Sequence, residues 1–400
     1  MTSPTQSCVV AIMGTRPEII KMAPVVLALR KQGMPTHVLH TGQHEEMAWP
    51  LYEFFGIKPA EIIRLKREVP TLPALASELM SAIGTQLSSL QPAAALVHGD
   101  TSSAAMGALA AAFLQIPVGH VEAGLRSGRM DEPFPEEINR SLIGRVSHWH
   151  FAPTAQASSN LQRENVPGSV SIVGNTVVDA VLLAAQHVRA QRLAGQPIAN
   201  PDYQWFLDSG LRKLVLVTAH RRENWGAPME QIASAVAALL QQCPDAAVIW
   251  PLHLNPLVQQ AVRAVHAACT PDIQQRWRLS APLDYPPMVE IMDAANLLLT
   301  DSGGIQEEGL SLHKPLLVMR DVTERPEVIT CGGGLLVGTD PHRIVSAAAS
   351  VLADGRLPGL APTHGQANPF GDGTSGAQIA AVLRKHLHGA HAATPHPLPV

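Results

Sequence analysis

The sequence predicts an α/β protein built on two parallel sheets, and three observations carry that expectation. Short apolar, β-branched runs alternate with Ala- and Leu-rich helical stretches, the pattern of successive β-α-β units. Hydrophobic residues make up 46% of the 400 residues and charged residues only 16%, against roughly 25% in an average domain. A chain of that kind buries long parallel strands under helices on both faces. Finally, six polar clusters each fall just past the C-terminal end of a predicted strand, where open α/β sheets bind ligands.

The first predicted strand is Cys8–Met13, followed by a turn at Gly14 and a helical stretch through Arg30. Strand-like runs recur at His37–His40, Ala94–Val97, Pro117–His120, His148–Phe151 and Val170–Val173. A helical Asn175–Arg192 and a polar stretch lead into a second series. It contains Leu214–Thr218, Ala246–Trp250, Leu297–Thr300, Leu316–Met319 and Leu335–Val337. Two blocks of similar size, each opening with a strand, divide the chain into two Rossmann-like domains joined near residue 175. Ser375–His386 reads as a final helix. The last dozen residues are rich in Pro, His and Ala without apolar periodicity, which predicts a loose tail with solvated histidines. No repeat occurs at solenoid periods.

Composition narrows the function. A length of 400 residues allows roughly two to three domains. The net charge of -4 gives no reason to expect nucleic acid or an anionic membrane as partner, so any anion site must be built locally. Cys8, Cys243, Cys269 and Cys331 are far apart and form no C-x-x-C pair, which argues against a zinc ribbon or a disulfide framework. The N-terminus lacks the basic start and apolar stretch of a signal peptide, and no run approaches 18 apolar residues. We expect a soluble, cytoplasmic protein.

The six clusters are Gly14-Thr15-Arg16-Pro17-Glu18, His98-Gly99-Asp100-Thr101, His120-Val121-Glu122-Ala123-Gly124, His220-Arg221-Arg222-Glu223-Asn224, His253-Leu254-Asn255-Pro256 and Asp301-Ser302-Gly303-Gly304. Any one could be an ordinary polar loop; six in register across both blocks point to a ligand. Ser302, Gly303 and Gly304 open a predicted helix, where backbone N–H groups and the helix dipole favour an anion. Glu308, one turn in, could hydrogen-bond a ribose diol. The same residues also fit a plain Gly-rich turn with a capping serine. No G-x-G-x-x-G follows a strand and no G-x-x-x-x-G-K-[ST] occurs, so dinucleotide dehydrogenases and P-loop kinases recede.

In the first block three carboxylates stand out. Asp100 and Glu122 sit among small residues at strand ends, where an unpaired acid is costly unless solvated or used. Glu136, in Pro133-Phe134-Pro135-Glu136-Glu137, starts a helix and could equally serve its N-terminal dipole. Neighbouring carboxylates raise each other's pKa and can form a proton-transfer pair. Arg16 and Lys21 on the opening helix could meet a diphosphate, as could Arg221 and His253, although Lys21 also reads as a surface lysine. His220, flanked by two arginines at a strand end, is better placed than most loop histidines. No ligand spacing suggests a metal. Together these residues describe an enzyme acting on an anionic, nucleotide-like substrate between two domains.

The segments GTRPEIIKMAPV, TGQH, HGDTSSA, GHVEAGLRSG, PFPEEINR, GNTVVDA, TAHRREN, HLNP and LTDSGGIQEE with LSLHKPLLVMRDVTERPE resemble, in order and spacing, the non-hydrolysing UDP-N-acetylglucosamine 2-epimerases from Gly14 to about Gly373. The resemblance implies a GT-B fold, two Rossmann-like domains with parallel sheets facing a central cleft. It places an N-terminal domain at 1–174, joined by the C-terminal helix 370–388, a UDP-binding domain at 175–369, and the tail at 389–400. It implies loss of the C2 proton and of UDP, a 2-acetamidoglucal held in the cleft, and return of both, with UDP-N-acetylglucosamine and UDP as partners, no cofactor and a homodimer. It also implies roles: Asp100, Glu122 and Glu136 as the acid/base group, His220 as a further catalytic residue, Arg16 and Lys21 near substrate. Ser302, Gly303 and Gly304 become the diphosphate loop, Glu308 the ribose ligand, and Arg221 and His253 supporting contacts.

One departure concerns regulation. Many bacterial members of that family bind a second UDP-N-acetylglucosamine as activator through Gln43 and polar neighbours. Here Gln43-His44 is followed by Glu45-Glu46-Met47-Ala48-Trp49-Pro50, a pair of acids where a diphosphate would lie, then a proline. Two other outcomes stay open at this stage. A hydrolysing epimerase tends to carry Ala-Asp or Ala-Glu after GTR, where this chain has Pro17-Glu18, and a GT-B glycosyltransferase would not need three carboxylates in the first domain.

Overall fold

The computed structural model describes residues 8–43, 45–195, 200–358 and 367–389. The chain separates into two compact units, Met1–Ala180 with Phe370–Val400, and Val181–Pro369.

The first unit is built on β1 (Val9–Met13), β2 (Thr36–His40), β3 (Glu61–Ile62), β4 (Ala94–His98), β5 (Val118–Val121), β6 (Trp149–Ala152) and β7 (Ser169–Ile172). They form one sheet in the order β3-β2-β1-β4-β5-β6-β7, and the pairs are parallel. The central strands read as unbroken apolar runs because helices cover both faces; every residue of β1 and β4 is buried. The helix Arg16–Lys31 follows β1 directly. Its start is set by Thr15 at the N-cap and Glu18 at the third helical position, whose carboxylate accepts the Gly14 and Thr15 N–H groups at 2.9 and 2.8 Å. The late helix Ser375–Gly389 returns to pack on Arg16–Lys31. Gly376 makes that approach possible: a Cβ there would stand 2.8 Å from the Pro24 carbonyl oxygen.

The second unit carries β8 (Lys213–Thr218), β9 (Ala246–Pro251), β10 (Trp277–Ser280), β11 (Leu297–Thr300), β12 (Leu316–Val318) and β13 (Gly334–Leu336). These are parallel in the order β10-β9-β8-β11-β12-β13, the same winding as the first sheet. Its core packs Trp250, Val248 and Leu299 against Ile232, Val236 and Leu239 of the helix Ala227–Gln242. Trp250 stacks on Trp277, ring centroids 6.1 Å apart and planes at 19°.

The sequence-based strands recur within a residue or two, with two additions: β3 and β10, each at the edge of its sheet. The final helix runs three residues beyond the expected His386, to Gly389. The rest of the expected tail lies outside the described residues. Among the described residues no helix is long and apolar enough to cross a membrane.

Candidate active site

In the first unit the chemistry gathers where β1, β4 and β5 end. Glu122, one residue past β5, adopts a left-handed φ of 63°, and Gly99 past β4 does likewise at 64°. Backbone strain of this kind on a non-glycine residue collects at functional sites. Three side chains converge on Glu122 Oε2: Lys21 Nζ donates to it, Asn175 Nδ2 donates at 3.1 Å, and His98 Nε2 lies 3.8 Å away. Burial pushes His98 down to about 4, more than the Glu122 charge lifts it, so the imidazole is neutral at physiological pH. Asp100 stands at the next strand end. Arg140 pairs with its carboxylate at 2.5 Å, and Asn139 Nδ2 donates to its backbone oxygen at 2.8 Å. Burial raises the Asp100 pKa, Glu122 adds to the rise, and Arg140 opposes it.

Asp100 and Glu122 are thus not the unpaired acids that the sequence suggested. Each has its own cation, Arg140 for Asp100 and Lys21 for Glu122. Arg140 is itself shared, with Glu137 Oε2 at 2.8 Å. Glu136 opens the same helix, Glu136–Val146, with its Oε2 buried and, among the described residues, without a hydrogen-bond partner. Arg16 opens the helix after β1 and is half-buried. Behind these residues lies Glu18, fully buried, which also accepts from Thr101 Oγ1 at 2.6 Å and so ties the Arg16 turn to the Asp100 turn. Gln43 Oε1 accepts from Ser103 Oγ at 2.7 Å. His44 and the side chains of Glu45 and Glu46 lie outside the described residues.

In the second unit Asp301 organises the ends of β8 and β11. It is fully buried and accepts the N–H groups of His220 at 3.0 Å and Arg221 at 2.9 Å, and the Asn224 side-chain amide at 2.9 Å. The His220 ring stacks on His253, with centroids 5.9 Å apart and planes at 26°. Desolvation lowers the His220 pKa, while the Asp301 charge works the other way. Ser302 is the N-cap of the helix Gly303–Ser311, yet its side chain makes no capping hydrogen bond, against the capping-serine alternative. A Cβ on Gly303 would lie 3.6 Å from Arg221 Nη2 and 3.9 Å from Arg325 Cζ. Two guanidinium groups therefore flank the helix N-terminus, an arrangement suited to an anion. Arg221 also pairs with Glu324 at 3.3 Å, a contact the sequence reading did not anticipate. Glu308, on that helix, is buried beside Tyr285, whose pKa is raised by burial and by the Glu308 charge.

Comparison with known proteins adds the family. The model of the UDP-N-acetylglucosamine 2-epimerase family matches residues 27–384. The chain belongs to this family. It is 40% identical over 387 residues to UDP-N-acetylglucosamine 2-epimerase of Escherichia coli K12, covering 94% of this chain and 98% of that one. The Bacillus subtilis strain 168 enzyme of the same name is 39% identical over 381 residues, covering 94% and 95%. The crystal structure of UDP-GlcNAc 2-epimerase from Neisseria meningitidis, bound to UDP-GlcNAc, superposes with a TM-score of 0.78 at 34% identity, covering 94% of this chain and 99% of that one. The fold of this 2-epimerase-family chain is accordingly α/β of the GT-B type.

Of the candidates in the first unit, Lys21 and Glu122 are in contact, and both charges act on Asp100. In the second unit His220 and His253 come together, as do Arg221 and Gly303. Sequence reasoning missed Glu18, His98, Asn139, Arg140, Asn175, Asp301 and Arg325. All lie inside the segments that carry the resemblance, so the signal was there; what was lacking was the pairing between segments far apart in the chain.

Proposed function

We propose that this chain interconverts UDP-N-acetylglucosamine and UDP-N-acetylmannosamine by inverting the sugar at C2. The observation that carries the reading is the pair of cation-held carboxylates, Glu122 with Lys21 and Asp100 with Arg140, at adjacent strand ends. Inversion by proton transfer needs a base on one face of C2 and an acid on the other. Burial raises the Asp100 pKa against the pull of Arg140, which favours that carboxyl as a carrier of the proton. In the forward reaction a carboxylate takes the C2 proton, the electron pair forms the C1–C2 double bond, and the C1–O bond to UDP breaks. A second group then returns a proton to the opposite face of C2 as UDP adds back at C1. Glu136, whose Oε2 is buried, is the third member of the acid/base group, Arg16 is a substrate contact and His220 a further catalytic residue. Ser302, Gly303 and Gly304, flanked by Arg221 and Arg325, hold the diphosphate, and Glu308 the ribose. We place the protein in the cytoplasm as a homodimer.

Turnover in D₂O tests the reading. Product should carry deuterium at C2, the substrate pool should label on longer incubation, and the sugar should stay on UDP. Product that retains its original C2 hydrogen excludes elimination, and free N-acetylmannosamine would mark a hydrolase. A second expected result separates binding from chemistry. Glu308→Ala weakens UDP binding by roughly tenfold, the value of a hydrogen bond to a charged group, with kcat at saturation changed less than about threefold. Titration calorimetry beside steady-state kinetics reads both. A loss confined to kcat would move Glu308 out of the nucleotide site.

A further inference from the structure

His220 is a catalytic candidate, but an imidazole can act in only one way at a time, and which nitrogen carries the proton is set by what the other faces. His220 Nδ1 lies 3.4 Å from Asp301 Oδ1. Asp301 is fully buried at the end of β11, and β11 runs beside β8, which ends at the residues before His220. Both of its oxygens accept the His220 backbone N–H, at 3.1 and 3.0 Å, so the group that holds the backbone also lies beside the ring. The Trp225 indole N–H donates to the His220 carbonyl oxygen at 3.2 Å, and His253 stacks on the ring face. The imidazole is therefore restrained on several sides.

We propose that Asp301 is the positioning residue of His220: it fixes the tautomer with the proton on Nδ1 and leaves Nε2 as the working nitrogen. An ionised carboxylate only accepts hydrogen bonds, so the ring nitrogen facing it is the one that bears hydrogen. The other charged or titratable groups acting on the ring are Arg221, His253 and Arg320. The two arginines have no acceptor, and His253 Nδ1 already accepts the Asn255 N–H at 3.2 Å. Asp301 immediately precedes Ser302-Gly303-Gly304, so the same residue sets both the histidine and the start of the anion loop. A buried aspartate tying two loops together would explain the backbone bonds alone; the approach of Oδ1 to the ring is what adds a chemical role.

The proposal rests on the epimerase reading only for its kinetic arm, and the test keeps the two apart. In the full-length protein labelled with ¹⁵N-histidine, the His220 resonances, identified by their loss in His220→Asn, should show protonated Nδ1 and unprotonated Nε2 at neutral pH. The reverse tautomer overturns the proposal, whatever the enzyme's activity. Asp301→Asn keeps a carbonyl oxygen for the backbone N–H groups but can turn an amide N–H₂ toward Nδ1. It should reverse or mix the tautomer and lower kcat by about 10²–10³-fold, within the range of general acid–base groups. In the His220→Asn background the same change should cost less than about threefold more, because residues acting as a unit are not additive. Losses that multiply in the double variant would show that Asp301 acts independently of His220. Should Asp301→Asn fail to fold, the wild-type tautomer still decides. Wild-type protein inert toward UDP-N-acetylglucosamine would sink the proposed function and leave the tautomer result standing.

Discussion

Glu122→Gln is expected to leave the chain folded and to lower turnover by about 10²–10⁴-fold, the contribution of a positioned acid–base group. The amide is isosteric and can still accept from Lys21 and from Asn175, which donates to Oε2 at 3.1 Å, so the geometry has little reason to change. What disappears is the charge, and with it the ability to take a proton. Lys21 then faces a neutral group in a half-buried setting, where removing one partner of an ion pair carries its own cost. Thermal melting recorded beside the kinetics separates the two effects. A melt within a few degrees of wild type, with the rate collapsed, assigns Glu122 to chemistry; near-full rate would return it to a structural role. Asp100→Asn should behave alike, because Arg140 and Asn139 hold the side chain and backbone of that residue from independent directions.

Trp250→Ala should destabilise the second unit by about 3–5 kcal/mol, the cost of emptying a buried aromatic site, with the lost stacking on Trp277 included in the effect. The residue is fully buried at the middle of the second core, and its neighbours come from strands and helices that cannot all collapse inward. Trp250→Phe should cost much less. The indole Nε1 is buried and has no hydrogen-bond partner among the described residues, so the smaller ring gives up volume but also removes an orphaned donor. Urea denaturation of both variants measures the difference. Equal losses would mean that the indole nitrogen is satisfied after all, and an alanine loss under about 1 kcal/mol would mean that the core relaxes around the gap.

The sheets were legible in the sequence wherever a strand is buried on both faces. Val9–Met13, Ala94–His98 and Leu297–Thr300 are unbroken apolar runs because helices lie on either side of them. The two strands that escaped notice lie at sheet edges. Glu61–Ile62 is two exposed residues, and Trp277–Ser280 reads Trp-Arg-Leu-Ser, a mixture that half-burial permits and that no apolar run betrays. For the site, strand ends announced themselves through clusters such as His98-Gly99-Asp100-Thr101. Their partners did not. Arg140 carried no role of its own, Asn175 stood as a helix start and Asp301 as one member of a polar cluster. Their roles arise from contacts across 40, 53 and 81 positions of chain, which no local pattern encodes.

The first unit is interrupted, and that has a consequence for how it can form. Phe370 accepts from Asn175 N at 2.6 Å, Asp179 accepts the N–H groups of Ser375 and Gly376 at 3.3 and 2.9 Å, and the last helix covers Arg16–Lys31. During vectorial synthesis at about 5–20 residues per second, the ribosome must make all of Val181–Pro369 before those partners exist, a wait of roughly 10–40 s. Until then Asp179 faces no Ser375 or Gly376, and the face of Arg16–Lys31 near Pro24 has no cover. The second unit, continuous in the chain, is under no such delay. The nascent protein therefore carries an unfinished first unit for most of its time on the ribosome, and the last stretch described, Ser375–Gly389, acts as the latch that ends it.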